Sequence, residues 1–441
     1  MAGLLRRVVL PAALAAVACG GASEPSSPPQ FDVLEQTIPE LQAAMEDGRV
    51  TSRQLVAQYL ARIEAYDRRG PALRAMISIN GGALDEAAAL DRERAGTGPR
   101  GPLHGIPVVV KDNYDVAGLP TTAGSSALAG WHPPDDAFQV AGLKEAGAVI
   151  IGKANMHELA YGLTTVSSAG GQTRNPYDPS RNPGGSSGGT GAAVAAGFAA
   201  AGMGTDTCGS IRVPSAHHAL AGLRGTRGLS SRDGIVPLAL TQDMGGPMTK
   251  TVTDLAIMLD ATVGVDPADE VTARGRGRAP DSYTAFLTAG ALEGARIGVV
   301  TWLVGSAPED EPVAAVIRAA LETIAAAGAE VVDVDLPGVP DLLDGASIIP
   351  VEFRFQLADY LRAPGTPVQS LREILDSGLY HAAVEERYRR SDSVRGLDDP
   401  DYLEALARRE PLREAVTRLM DDARLDAVSY THLTLPTKRI V

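Results

Sequence analysis

Residues 182–215 read NPGGSSGGTGAAVAAGFAAAGMGTDTCGSIRVPS. Glycines and small hydroxyls stand here at a density that no packed helix or sheet selects for stability. Each glycine loses more backbone entropy on folding than any other residue and adds no side-chain packing. A flexible linker would explain the glycines, but the run AAVAAGFAAAGMG that follows is too apolar to be solvated. Two glycine-rich templates fit poorly. A phosphate loop needs G-x-x-x-x-G-K-[ST], and no lysine follows GGSSGGTG. A nucleophile elbow, G-x-S-x-G, matches formally at Ser186 and at Ser187. An elbow joins a buried strand to a helix, however, whereas TRNPYDPSRNP upstream carries three prolines and no strand pattern.

Outward from this stretch the chain alternates between strand and helix signals. The β-branched run Val108 to Val110 ends in Lys111, and AVIIGKANM gives a second buried strand at Val149 to Ile151. Helical signals begin at Thr37. TSRQ at 51–54 has the capping-box pattern, with Leu55, Val56, Tyr59, Leu60 and Ile63 on one face. Residues 296–336 predict a βαβ unit: RIGVV as a strand, an amphipathic helix through Val313, Val316, Ile317, Ala320, Leu321 and Ile324, then EVVDVDLP as a strand. The class is α/β with a mostly buried sheet. With 441 residues, 44% hydrophobic and 21% charged, the chain has apolar material for a large core.

A net charge of −14 leaves no basic field to displace counterions from a nucleic acid, so no nucleic-acid partner is expected. The N-terminus predicts export. Arg6 and Arg7 precede the apolar run Val8–Val17, which is too short to span a bilayer but suits a signal segment over residues 1–18. LAAVACG resembles a lipobox that would place a lipid on Cys19; plain cleavage after Ala18 is the alternative. Residues 19–32, Pro- and Ser-rich, read as a disordered tether. The second of two cysteines, Cys208, has no disulfide partner if Cys19 is acylated, and the seven histidines show no metal-ligand spacing. Neither metal nor cofactor is expected.

GGSSGGTGAAVAAG and GTDTCGSIRVPS, with PVVVKD upstream, resemble the amidase signature family of serine hydrolases. The likeness runs over residues 37–265 through LHGIPVVVKDNYDVAGLPTTAGS, VIIGKANMHELAYG, GQTRNP and GLRGTRGLSSRDGIVPLALTQDMGGPMTKTVTDLA. The resemblance implies one large mixed β-sheet covered by helices on both faces, with the amidase domain over residues 33–428. It also implies a triad without histidine: Ser210 as nucleophile, Ser186 as a relay on a cis peptide, and Lys111 as the terminal base. The backbone N–H groups of Thr207, Cys208, Gly209 and Ser210 would form the oxyanion hole. Asp206 and Arg212 would orient that loop, Ser187 would hydrogen-bond within it, and glycines 184, 185, 188 and 189 would serve its geometry.

The chemistry is coherent. A serine hydroxyl is a poor nucleophile until a neighbouring base takes its proton, and a lysine does this only when neutral. Burial disfavours the ammonium form, and Lys111 directly follows three valines. Alone, a lysine at a strand end is ordinarily a surface group; the two serine blocks give it a catalytic reading. Cys208 stands where many relatives have glycine. It suggests a cysteine nucleophile, but Ser210 fits the motif and Cys208 fits only as an N–H donor.

The likeness weakens over residues 270–425. There ARGRGRAPDS reads as an exposed loop, and DLLDGASIIPVEFRFQLADYLRA as helices covering the cleft. LDAV at 425–428 resembles the start of a family strand, but SYTHLTLPTKRIV at 429–441 does not continue it and reads as a junction or frameshift product. An incomplete sheet exposes an edge and apolar surface. The 441-residue chain as written is therefore expected to be poorly soluble or inactive, an expectation that soluble expression with full amidase activity would overturn. The function predicted is an exported, lipid-anchored hydrolase of small-molecule or peptide amides, touching the membrane only through that anchor. The alternatives are a non-catalytic envelope lipoprotein that binds amides or peptides, and a histidine-dependent serine esterase using Ser187.

Overall fold

The valine run ending at Lys111 lies in the middle of the main sheet, where a strand buried on both faces needs apolar residues at consecutive positions. The structure, a computed structural model, describes residues 31–305 and 307–431. The predicted signal segment, Cys19 and most of the tether lie outside these residues, as do residues 432–441 of the tail. The strands of the main sheet and of a short hairpin are β1 (Met76–Ile79), β2 (Pro107–Lys111), β3 (Val149–Ala154), β4 (Val166–Ser167), β5 (Gly171–Gln172), β6 (Ala201–Asp206), β7 (Ala221–Gly222) and β8 (Met244–Thr249). Six of them form a mixed sheet in the order β1-β3-β2-β6-β8-β7, while β4 and β5 pair separately. β2 runs parallel to both neighbours, β3 and β6, with Val110 opposite Met203 of β6. All five residues of β2 and all six of β3 and of β6 are buried. This is the α/β class that the residue pattern predicts, with the mixed sheet that the resemblance implies.

Local signals place several elements correctly. Helix Ser52–Tyr66 starts at the predicted capping box, Thr51 with Gln54, and buries Leu55, Val56, Tyr59 and Ile63. The βαβ unit is present as β9 (Arg296–Val300), helix Glu311–Ala326 and β10 (Glu330–Val334), with the strands parallel. It forms a second, three-stranded sheet with β11 (Ala427–Ser429), which pairs parallel with the other side of β9. Its helix carries the predicted apolar residues, yet Val313 and Val316 are 53% and 67% exposed. The segment 341–363 contains helix Ile349–Tyr360. Phe353, Leu357 and Leu361 from this region pack with Met156, Leu159 and Leu238, so the helix covers the loops beyond β3.

The glycine-rich stretch resolves into a loop, helix Gly188–Ala195, and strand β6 running into a second loop at Ser210. Gly189 shows why the helix begins on glycine. A Cβ there would sit 2.1 Å from the backbone oxygen of Asn155, to which the Gly189 N–H donates at 3.0 Å. In an exposed helix, Gly→Ala stabilises; here the contact reverses the sign. Gly189→Ala is expected to destabilise the fold by about 1–3 kcal/mol, the usual cost of overpacking. Urea unfolding tests this, and an unchanged or raised midpoint would contradict it.

Candidate active site

The carboxyl ends of two adjacent parallel strands, β2 and β6, set Lys111 beside Thr205 and lead into the loop of Ser210, at the edge of an α/β sheet where sites usually form. Lys111 is the last residue of β2 and is wholly buried. Its Nζ lies 2.7 Å from Ser186 Oγ, 2.7 Å from Thr205 Oγ1 and 3.3 Å from the Thr205 carbonyl oxygen. Burial pulls its pKa down to about 7, against the opposing pull of the Asp206 and Asp243 carboxylates. Near neutral pH a substantial fraction of the amine is therefore uncharged and able to accept a proton.

Ser186 is fully buried on the one non-proline cis peptide among the described residues, Gly185–Ser186. Its carbonyl accepts from the His157 N–H at 2.9 Å. Ser187 turns its hydroxyl toward β6, donating to Thr205 O at 3.1 Å and accepting from Thr205 N–H at 3.2 Å. The Ser187 N–H donates to the Ser210 carbonyl at 3.2 Å, which ties the loop of Ser186 to the loop of Ser210. Ser210 itself is 3% exposed, just before the short helix Arg212–His217.

One carboxylate organises the 207–212 loop. Asp206 accepts from the N–H groups of Gly209 (2.7 Å), Ile211 (3.1 Å) and Arg212 (3.4 Å), and from the Arg212 guanidinium at 3.0 Å through both Nε and Nη2. Arg224 adds an ion pair at 3.2 Å. Burial alone would raise the Asp206 pKa, but these cations and amides hold it far below the usual carboxylate range. Gly209 has φ +124°, a conformation that L side chains rarely adopt. Its N–H donates to Asp206 at 2.7 Å, which withdraws Gly209 from the predicted set of oxyanion donors. Thr207 is fixed separately, its hydroxyl donating to Asp243 Oδ1 at 2.5 Å, while Asp243 Oδ2 accepts from the amides of Leu238 and Ala239.

Cys208 is exposed, yet the protein around it desolvates its thiol. That desolvation, reinforced by Asp206, pushes its thiol up to about 11. A reactive cysteine needs the thiolate at working pH, so this environment suits an N–H donor better than a nucleophile. Among the described residues no histidine ring hydrogen-bonds with Ser186, Ser187 or Ser210. His157 and His218 are pushed down by burial, to about 3 and about 4, and His218 Nδ1 is taken up by Pro214 O at 2.7 Å. No group of His, Cys, Asp and Glu among the described residues could hold a metal ion.

Sequence reasoning did not single out Thr205, Asn113 or Asp243. Asn113 Nδ2 donates to Thr205 Oγ1 at 3.1 Å, extending the network behind Lys111. Thr205 lies inside the opening stretch, and a strand reading of AGMGTD beside PVVVK would have brought it to Lys111. Asp243 is 36 residues from its partner Thr207, and no local pattern marks it. Tyr430 lies inside the segment predicted as a non-family tail, and its hydroxyl accepts from Arg212 Nη1 at 3.3 Å.

Similarity to known proteins extends over nearly the whole chain. The Amidase family model matches residues 54–440. A glutamyl-tRNA(Gln) amidotransferase subunit of Salinispora arenicola is 39% identical over 356 residues, covering 78% of this chain and 71% of that protein. A probable amidase of Arabidopsis thaliana is 34% identical over 432 residues, covering 93% of this chain and 82% of its own. The crystal structure of native peptide amidase from Stenotrophomonas maltophilia superposes with a TM-score of 0.84 at 39% identity, covering 90% of this chain and 84% of that one.

Proposed function

The chain belongs to the amidase family and is a hydrolase of carboxylic amide C–N bonds, and we propose that it acts through an acyl-enzyme on Ser210, with Ser186 as proton relay and Lys111 as base. The observation that carries this reading is the 2.7 Å contact between Lys111 Nζ and Ser186 Oγ in a pocket where burial brings the amine to about 7. The Ser210 proton passes to Ser186 Oγ as the Ser186 proton passes to the neutral amine. Ser210 Oγ bonds to the substrate carbonyl carbon, and the amides of Thr207, Cys208 and Ser210 stabilise the oxyanion. As the tetrahedral intermediate collapses, the proton returns through Ser186 to the departing nitrogen and the C–N bond breaks. Water, activated by the same relay, then hydrolyses the Ser210 ester.

Small-molecule and peptide amides are the substrate class we favour, the peptide amidase relative supporting the latter. The net charge of −14 argues against a nucleic-acid substrate. We propose further that the enzyme is exported and carries a lipid on Cys19, on the strength of the Arg6-Arg7 and LAAVACG pattern. A fluorophosphonate probe tests the triad. Wild-type protein is expected to label covalently and Ser210→Ala to lose all labelling. Full labelling of Ser210→Ala would remove Ser210 as the nucleophile.

A further inference from the structure

The loop that bears Ser186 is wrapped around a single hydroxyl from another part of the chain, that of Thr165. Thr165 Oγ1 donates to the Gly184 carbonyl at 2.7 Å and accepts from the Gly188 N–H at 3.0 Å; the Ser186 carbonyl lies 3.5 Å away. One oxygen thus bridges the residue two before Ser186 and the residue two after it. The fit leaves no slack. A Cβ at Gly185 would meet Thr165 Oγ1 at 2.9 Å, and one at Gly188 would meet it at 2.3 Å.

The same hydroxyl also begins the helix. Ser187, at the N-cap of Gly188–Ala195, makes no side-chain cap bond because its hydroxyl is engaged with Thr205. Thr165 serves the first helical N–H in its place, from 23 residues away. Thr165 is itself over-determined. It is fully buried, and at φ +53° it occupies the left-handed region that β-branched residues avoid. Its carbonyl is held by the Thr173 N–H and by Gln172 Nε2, both at 3.1 Å. A threonine fixed in a disfavoured backbone conformation, with its hydroxyl placed at the relay loop, indicates more than packing.

We propose that Thr165 is a positioning residue for amide hydrolysis: its hydroxyl sets the loop so that Ser186 Oγ points at Lys111 Nζ. The proposal rests on the triad reading above. Its consequence is selective. Departure of an amine requires the returned proton, whereas an activated phenolate leaves without one. A misaligned relay therefore harms amide cleavage more than cleavage of a p-nitrophenyl ester of the same acyl group. A purely structural role would lower both rates together.

The test compares Thr165→Val, which keeps the shape and removes the hydroxyl, with Thr165→Ser, which keeps the hydroxyl. Amide and p-nitrophenyl ester turnover are measured on the 441-residue chain, so that turnover would at the same time overturn the expectation of poor solubility or inactivity, with Lys111→Ala and Ser210→Ala in parallel. Thr165→Val is expected to lose amide kcat by roughly 10–100-fold and ester kcat by less than about fivefold, with KM little changed, as for a displaced acid–base group. Thr165→Ser is expected to restore amide kcat to within about threefold. An unchanged amide-to-ester ratio in Thr165→Val overturns the proposal. If Thr165→Val does not fold, Thr165→Ala is read by the same ratio. If Lys111→Ala and Ser210→Ala both keep amide turnover, the triad reading fails instead.

Discussion

Lys111→Ala is expected to slow amide hydrolysis by roughly a thousand- to ten-thousand-fold, the range for loss of a positioned base acting within a coupled unit. Lys111 is the only cation contacting the Ser186 hydroxyl among the described residues, and its remaining partners are Thr205 oxygens. The wild-type pH profile should carry the same signature. Only the neutral amine accepts a proton, so kcat/KM should rise with pH and reach half its plateau near the Lys111 pKa of about 7. The charged groups acting on that amine are Asp206 and Asp243, which raise its pKa, and burial, which lowers it and wins. His157, pushed down to about 3, stays neutral across this range. An acid limb centred near 7 that persists unchanged in Lys111→Ala would assign the titration to another group.

Asp206→Ala is expected to cost about 3–5 kcal/mol of folding stability, because removing one partner of a buried ion pair strands the other. Here the stranded groups are Arg212, Arg224 and three backbone N–H donors at Gly209, Ile211 and Arg212. Among the described residues the other long-range ties on the 207–212 loop each reach a single residue: Asp243 and Gln242 hold Thr207, the Ser187 N–H donates to the Ser210 carbonyl, and Tyr430 accepts from Arg212. Activity should fall along with stability. Asp206→Asn is expected to lose less, because it keeps the shape and an acceptor while removing the charge. Chemical denaturation of the three proteins checks the order. A midpoint for Asp206→Ala within error of wild type would show that the loop stands without its carboxylate.

The elements that could be read directly are those whose residues state their own environment. Val108–Val110 and Val149–Ile151 are short apolar runs, and both became buried strands. Thr51 and Gln54 complete a capping box within four residues. The βαβ unit at 296–334 follows from periodicity alone. Strand β6 was harder to see, because AGMGTD is built from small residues whose use depends on neighbours: a Cβ at Gly202 would sit 2.5 Å from the Thr190 methyl. The exposure of Val313 and Val316 was equally hidden, because an apolar stripe says that a face can be buried but not what lies against it.

By itself the sequence determined the α/β class, the buried strands at Val108–Lys111 and Val149–Ile151, and the residue types on which the chemistry is proposed to rest. Tertiary structure alone decided that Lys111 is buried deeply enough to sit near 7 and that Thr205 and Asn113 back it. It also decided that Thr165 and Asp206 each hold a loop around one polar atom group. The reason is physical. Secondary structure follows from interactions within a few residues, whereas a shifted pKa and a fixed hydroxyl depend on desolvation and hydrogen bonds between segments up to about a hundred residues apart, which only the folded chain brings together.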